Sequence, residues 1–258
     1  MSEKNRDGKR TARERMAVER EKQKATEKRR RALIVGASVV CVLGLAAVVG
    51  VLAANSGKDK KTGASGPVVS PSGAIGKDSL AIPVGKDAAK STLTVWEDFR
   101  CPACQAFETV YRPTIHELVD SGQLKVEYHL ATLIDGNMGG SGSRRAANAA
   151  ACAQDAGKFS AYHDVLYENQ PKETEDTFAD NSKLIALAGK VDGLDTPAFQ
   201  KCVNDGTHDS WVVKSNSAFQ SGGFSGTPTV LLGGKNIYAD QTMTPAKLKQ
   251  MVEAENKA

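Results

Sequence analysis

Cys101 and Cys104 stand two residues apart in the stretch TVWEDFRCPACQAFE, at the end of an apolar run. Three chemistries use such a pair: half of a metal site, a structural disulfide, or a dithiol that cycles with its disulfide. A zinc site needs a second Cys/His pair at ligand spacing. Cys152 and Cys202 are in no such pair, and the histidines at 116, 129, 163 and 208 are scattered, so no metal is read from the chain. A bridge between 101 and 104 kept only for stability closes a very short loop and contributes little. The redox reading leads. A strand feeding into Cys101 sets that thiol at the first turn of a helix, where unpaired N–H groups and the positive end of the helix dipole favour a thiolate. Pro102 loses nothing at the first helical position, because an N–H there goes unpaired anyway. Cys104 returns to the same face, which divides the work into an accessible nucleophile, Cys101, and a resolving thiol, Cys104.

The elements around the pair are set by periodicity. STLTVWEDF is β-branched and aromatic, as a buried strand should be, and CPACQAFETVYRPTIHELVDSG repeats apolar residues at helical spacing. Pro113 should kink this helix and Gly122 should end it. QLKVEYHLATL reads as a second strand. A long helical stretch comes next, from SRRAANAAACAQDAG through SWVVKSNSAFQSG, then two short strands around Gly233-Gly234 and a closing helix, TPAKLKQMVEAENKA. This order of strand, helix, strand, helical insert, strand, strand, helix is an α/β layer carrying an inserted helical subdomain.

The ends of the chain set the compartment. Residues 1–31 carry 13 Lys/Arg and 6 Asp/Glu, a net of +7 against +4 for the whole chain, so the remainder is mildly acidic. The basic residues alternate with acids and include no aromatic, which argues against nucleic acid as a partner. Ala32 to Ala54 is free of charge; at about 1.5 Å per residue it is long enough for a bilayer core of about 30 Å. A cleaved signal peptide is the rival reading, but the polar region ahead is too long and the apolar run exceeds the usual length. Arg20 to Arg31 carry seven Lys/Arg before the run, against Lys58, Lys60 and Lys61 after it. The N-terminus is therefore expected in the cytoplasm and the chain beyond Asn55 outside it, as a single-pass protein of the cell membrane. The expected layout is a tail at 1–31, a transmembrane helix at 32–54, a Gly/Ser/Pro-rich flexible linker at 55–78 and a folded domain at 79–258, with the helical insert at about 141–222. Export places four cysteines where disulfides persist. Cys41, within the apolar run, reads as an apolar filler.

DFRCPAC, a helical insert and then GTPT, in that order, resembles the membrane-anchored bacterial disulfide oxidoreductases of the DsbA type over roughly residues 80 to 256. The resemblance implies a thioredoxin-like fold with a helical insert. It implies a cis bond at Thr227-Pro228 facing the reactive cysteine, with the Thr227 backbone free to pair with an extended substrate. Some anchored relatives carry a second disulfide, which fits a structural bridge between Cys152 and Cys202; a second redox pair is the alternative. Two departures stand out. Ala103 occupies the place of a histidine found in the strongest oxidants of the family, so the Cys101 thiolate should be less stabilised. The buried acid that these folds often place six residues before the nucleophile is replaced by Val95, leaving Glu97 and Asp98 as candidate proton shuttles for Cys104 or as solvated strand-end carboxylates. His129 is a weak candidate to approach the centre, and His163 and Trp211 read as packing or surface residues.

The function expected is that of an extracytoplasmic thiol:disulfide oxidoreductase, monomeric and without cofactor, which introduces disulfides into exported proteins. By the same resemblance a membrane partner of the DsbB or vitamin K epoxide reductase type re-oxidises it. Two alternatives use the same fold: a reductase or isomerase with the same cysteines, and a non-catalytic membrane-anchored sensor or binding domain.

Overall fold

The computed structural model describes residues 67–240 and 242–257; the tail, the apolar run at 32–54 and the first part of the linker lie outside the described residues. Among the described residues no helix is long and apolar enough to cross a membrane.

A five-stranded mixed sheet forms the centre. Its strands are β1 (Ile82–Val84), β2 (Ser91–Glu97), β3 (Leu124–Leu130), β4 (Thr229–Leu232) and β5 (Lys235–Asn236), in the spatial order β1-β3-β2-β4-β5. β2 runs parallel to β3, with Val95 opposite Tyr128 and Trp96 opposite His129, and antiparallel to β4, with Trp96 opposite Thr229. A parallel pair needs a crossover, and helix α1 (Pro102–Asp120) supplies it. α1 passes through Pro113 as one helix and stops at Ser121, where Gly122 at φ 77° returns its N–H to the Val119 carbonyl. The closing helix α8 (Pro245–Lys257) packs beside α1, and its Asn256 amide donates to Ser91 Oγ and the Gln123 carbonyl, tying the starts of β2 and β3 together.

Successive strand residues face opposite sides. Leu93, Val95 and Glu97 therefore look toward one face of the sheet with Leu124, Val126, Tyr128 and Leu130, and all of these are buried. Trp96 and His129 look the other way, where Trp96 packs on Phe219 and Phe224.

Between β3 and β4 lie six α-helices: α2 (Leu133–Met138), α3 (Gly142–Asp155), α4 (Phe159–Glu168), α5 (Asn181–Ala188), α6 (Pro197–Asp205) and α7 (Asp209–Ser221). α3 is buried nearly all round because Ala146, Ala147, Ala149, Ala150, Ala151 and Ala153 let neighbours approach from several sides. Cys152 of α3 is bonded to Cys202 of α6. The insert therefore begins at Leu133, earlier than the sequence boundary near 141.

One element is added to the sequence reading and one expectation is corrected. β1 is an added edge strand, antiparallel to β3, that sequence reading does not recognise. Residues 67–78, read as part of a flexible linker, are instead docked on the insert. The Ser72 N–H donates to Asp155 Oδ1 at 2.7 Å, His208 Nδ1 lies 2.8 Å from the Val69 carbonyl, and Pro71 is buried. Trp211, fully buried, donates its indole N–H to the Ser79 carbonyl at 2.6 Å.

Candidate active site

Cys101 caps the N-terminus of α1 in an extended conformation (φ −76°, ψ 119°), with Pro102 in the first turn. Its own N–H is taken by the Asp98 carbonyl, and its carbonyl accepts from the N–H groups of Cys104 and Gln105. Both thiols are free, so the structure shows the dithiol form. Cys101 keeps 6% of its surface exposed, whereas Cys104 keeps none. A soluble partner thus meets Cys101 before Cys104.

The environment separates the two thiols electrically. A hydrogen bond from the Cys104 thiol, the Thr227 side chain and the N–H groups of Cys104 and Ala103 outweigh burial and lower Cys101 from 9.0 to about 6. That value lies between the thiolates of thioredoxin (about 7) and of DsbA itself (about 3.5), and Ala103 contributes only its backbone. Burial first, then the neighbouring Cys101 and the Glu97 charge, hold Cys104 well above an ordinary thiol.

The Thr227-Pro228 bond is cis, and Pro228 is buried. In the neutral state the Cys101 thiol donates to the Thr227 carbonyl across 3.3 Å. Thr227 Oγ1 is buried with no hydrogen-bond partner among the described residues, which leaves its hydroxyl free to donate when Cys101 ionises. Thr227, Pro228, Cys101 and Cys104 are thus brought together.

Glu97 and Asp98 are both completely buried, so neither is the solvated strand-end carboxylate that the sequence also allowed. Their surroundings differ. Asp98 accepts from the N–H of Arg100 at 2.8 Å and of Ile134 at 2.9 Å, although burial still raises it to about 7. Its oxygens order the turn into Cys101 and the start of α2. Glu97 Oε1 meets His163 Nε2 at 2.7 Å, and Glu97 Oε2 has no partner among the described residues. Glu108, one turn beyond Cys104 on α1, is equally buried with both carboxylate oxygens unpartnered, and burial raises it to about 8.

Two residues at the site carry no sequence signal for their roles. His163 is expected from sequence to be a packing or surface residue, yet it is buried against Glu97 and ringed by Phe99, Tyr128, Phe159 and Tyr167. Arg100, adjacent to Cys101, is buried and spans Asp135 at 2.7 Å, Asp176 at 2.9 Å and the carbonyls of Gly139 and Glu173. The same two aspartates accept from the backbone at the start of α3, so Arg100 ties the cysteine turn to the insert. Gly142 is required there, because a Cβ would stand 2.5 Å from Asp176 Oδ1.

His129 lies on the opposite face of the sheet, stacked on Trp96 at 4.1 Å, and does not approach the cysteines. Burial lowers it to about 4, which leaves a neutral imidazole. It lines a cavity of about 500 Å³ with Trp96, Leu80 and Lys214, away from Cys101. Among the described residues, side chains that could share one ion form two groups. Cys152, Cys202 and His208 make one, with its cysteines already bonded to each other; Glu97, Glu108 and His163 make the other. Cys101 and Cys104 belong to neither.

A thioredoxin sequence model matches residues 78–254, which contain both cysteines, the insert and Thr227-Pro228. The chain belongs to the thioredoxin-like DsbA family. Disulfide bond formation protein D of Bacillus subtilis is 28% identical over 179 residues, covering 67% of this chain and 76% of that protein. The reduced form of the disulfide bond oxidoreductase DsbG of Mycobacterium tuberculosis superposes with a TM-score of 0.61 at 28% identity, over 72% of this chain and 90% of that one. Oxidised BdbD of Bacillus subtilis gives 0.58 at 26% identity, over 74% and 98%. The protein is a thiol:disulfide oxidoreductase of this family.

Proposed function

We propose that the protein introduces disulfides into exported proteins outside the cytoplasm, with Cys101 as the attacked sulfur and Cys104 as the resolving one. The observation that carries the reading is the contrast between the two thiols. Cys101 keeps some exposure at a helix start and is lowered to about 6, while Cys104 is sealed and held high. A low-pKa thiolate is a good leaving group and a poor nucleophile, so the dithiol form is favoured and the disulfide is a ready oxidant. A substrate thiolate attacks Cys101 of the enzyme disulfide, and Cys104 departs with the electron pair and takes a proton. The substrate's second thiol, as thiolate, then attacks its own sulfur in the mixed disulfide and releases the Cys101 thiolate. The substrate gains one disulfide and the enzyme becomes the dithiol.

In this reading Thr227 offers its backbone to an extended substrate segment, and Cys152–Cys202 stabilises the insert. Ala32–Ala54 anchors the domain in the lipid bilayer, with residues 1–31 cytoplasmic and a linker from 55 reaching the domain. The chain acts as a monomer, and a membrane oxidant of the DsbB or vitamin K epoxide reductase type restores the disulfide. Equilibrating the Cys101/Cys104 couple with glutathione tests the direction. A potential near those of strong oxidants supports it, and one as low as a thioredoxin's makes the protein a reductase.

A further inference from the structure

Cys104 has a proton problem. It is fully buried, so it cannot exchange with bulk water directly. Yet it must gain a proton each time it leaves the disulfide and lose one before it can attack a mixed disulfide on Cys101. The core on this face of the sheet is largely aromatic, with Phe99, Tyr128, Phe159 and Tyr167 packed around His163. One polar path crosses them. Glu97, on the α1 face of β2, has a free Oε2, while its Oε1 is 2.7 Å from His163 Nε2. The other ring nitrogen, Nδ1, is 3.3 Å from Asp164 Oδ1. Asp164 is 20% exposed, and its Oδ2 is 3.4 Å from Nε2 of His116, which is 39% exposed. Glu97 acts on Cys104 through its charge; from Glu97 outward every step lies within or close to hydrogen-bond reach, and the path goes from complete burial to the surface in three side chains.

We propose that Glu97, His163 and Asp164 form the proton route between Cys104 and solvent, with His116 at its outer end. This inference rests on the oxidoreductase reading and names its buried proton carriers. An imidazole bonded through both nitrogens can accept a proton on one side while releasing one on the other, which a carboxylate alone behind an aromatic wall cannot do. When Cys104 leaves the disulfide, a proton passes to it from His163 by way of the Glu97 carboxylate, and His163 is refilled from water at the Asp164 end. In re-oxidation the proton runs outward. Burial lowers His163, but the charges of Glu97 and Glu108 and its bonds to Asp164 and Glu97 outweigh this and hold it well above an ordinary imidazole, so the proton store is loaded at neutral pH. The groups facing this path are Glu97 from β2, Glu108 and Arg112 from α1, Tyr128 from β3, and Asp164 and Tyr167 from α4 itself. Arg112 lies 3.8 Å from Asp164 at the outer end.

The test isolates the step that needs this proton. The full-length protein is converted to the mixed disulfide between Cys101 and glutathione, and release of glutathione by Cys104 is followed across pH in H₂O and D₂O. Formation of the mixed disulfide, which needs only the Cys101 thiolate, is the internal reference. His163→Gln keeps an amide N–H donor for Glu97 but relays no proton. Its release step should slow by about 100-fold at neutral pH, the lower end for a lost general base. It should also become steeply dependent on hydroxide, while formation of the mixed disulfide is spared. Asp164→Ala, at the rim, tests the same route without disturbing the core and should slow release in the same selective way. Release in both variants with the wild-type rate, pH profile and solvent isotope effect would overturn the route while leaving the oxidoreductase reading intact. A wild-type mixed disulfide that Cys104 never resolves would remove both.

Discussion

Helix position divides two chemically identical residues at the scale of single side chains. Cys101 receives hydrogen bonds at the start of α1, whereas for Cys104, one turn inward, burial, its bond to Cys101 and negative neighbours outweigh the Asp98 N–H. A dithiol built this way predicts an asymmetric trap. Cys104→Ala cannot resolve the adduct on Cys101, so mixed disulfides with a reactive small disulfide should accumulate to near one per chain by mass spectrometry. Cys101→Ala should accumulate few, because the remaining thiol is sealed and poorly ionised at neutral pH. Equal trapping by both variants would reverse the roles assigned to the pair. The placement of Cys101 at a helix start is legible in the sequence, since a strand running into C-P-x-C fixes that start within a residue. His163 is not legible. Its partner Glu97 lies 66 residues earlier, and only the packing of α4 on α1 brings them together.

Elements hold that site through two attachments of the insert. The Cys152–Cys202 bridge closes a separation of 50 residues, joining α3 to α6 away from the redox pair. In the chain-entropy account its loss destabilises by about 4 kcal/mol. Cys152→Ala with Cys202→Ala should lower the unfolding free energy from urea titration by that order while the rate of thiol oxidation by folded protein stays the same. A fall in rate without a fall in stability would make the bridge part of the redox relay. Arg100 is the second attachment. Its removal leaves Asp135 and Asp176 facing each other without a cation, a change of about 3 to 5 kcal/mol when a buried ion pair loses one partner. Arg100→Met should therefore cost stability of that order in denaturant unfolding and loosen α2 and the start of α3 in hydrogen exchange; unchanged protection there would show that the backbone contacts suffice. The main strands and helices can be read from their two-residue and helical periods. β1 escapes because Ile82-Pro83-Val84 is too short to display a period and carries a proline, tolerated on an edge strand. The docked stretch at 67–78 escapes for a different reason. Its Gly, Ser and Pro content suggests a linker, whereas its order comes from side chains of α3 and α7 and from His208.

For the whole molecule, charge placement and redox state are the variables that matter. The basic residues before Ala32 argue for an outward-facing domain. In intact cells, after mild reduction, a membrane-impermeant thiol reagent should label Cys101; labelling only after lysis would place the domain inside and remove the oxidase reading. The redox state leaves its own mark on stability. Cys101 falls from 9.0 in an ordinary thiol to about 6 in the fold, and a lowered folded pKa stabilises the native state at pH values above the unfolded pKa. That contribution is complete above about pH 9, shrinks as the pH drops and is gone below about pH 6; three units correspond to about 4 kcal/mol. Cys104 is held above an ordinary thiol, so it is neutral in both states up to about pH 8 and adds nothing to the slope there. Asp98 and Glu108 also titrate near neutrality, but they are present in the oxidised protein too. Subtracting the stability of the oxidised form therefore isolates Cys101. Urea unfolding of both forms should show the reduced-minus-oxidised difference rising by about 1.4 kcal/mol per pH unit from about pH 6 to about pH 8, and level below. A difference that stays level across that range would mean that the fold does not hold Cys101 as a thiolate, and the contrast that makes its disulfide an oxidant would be lost with it.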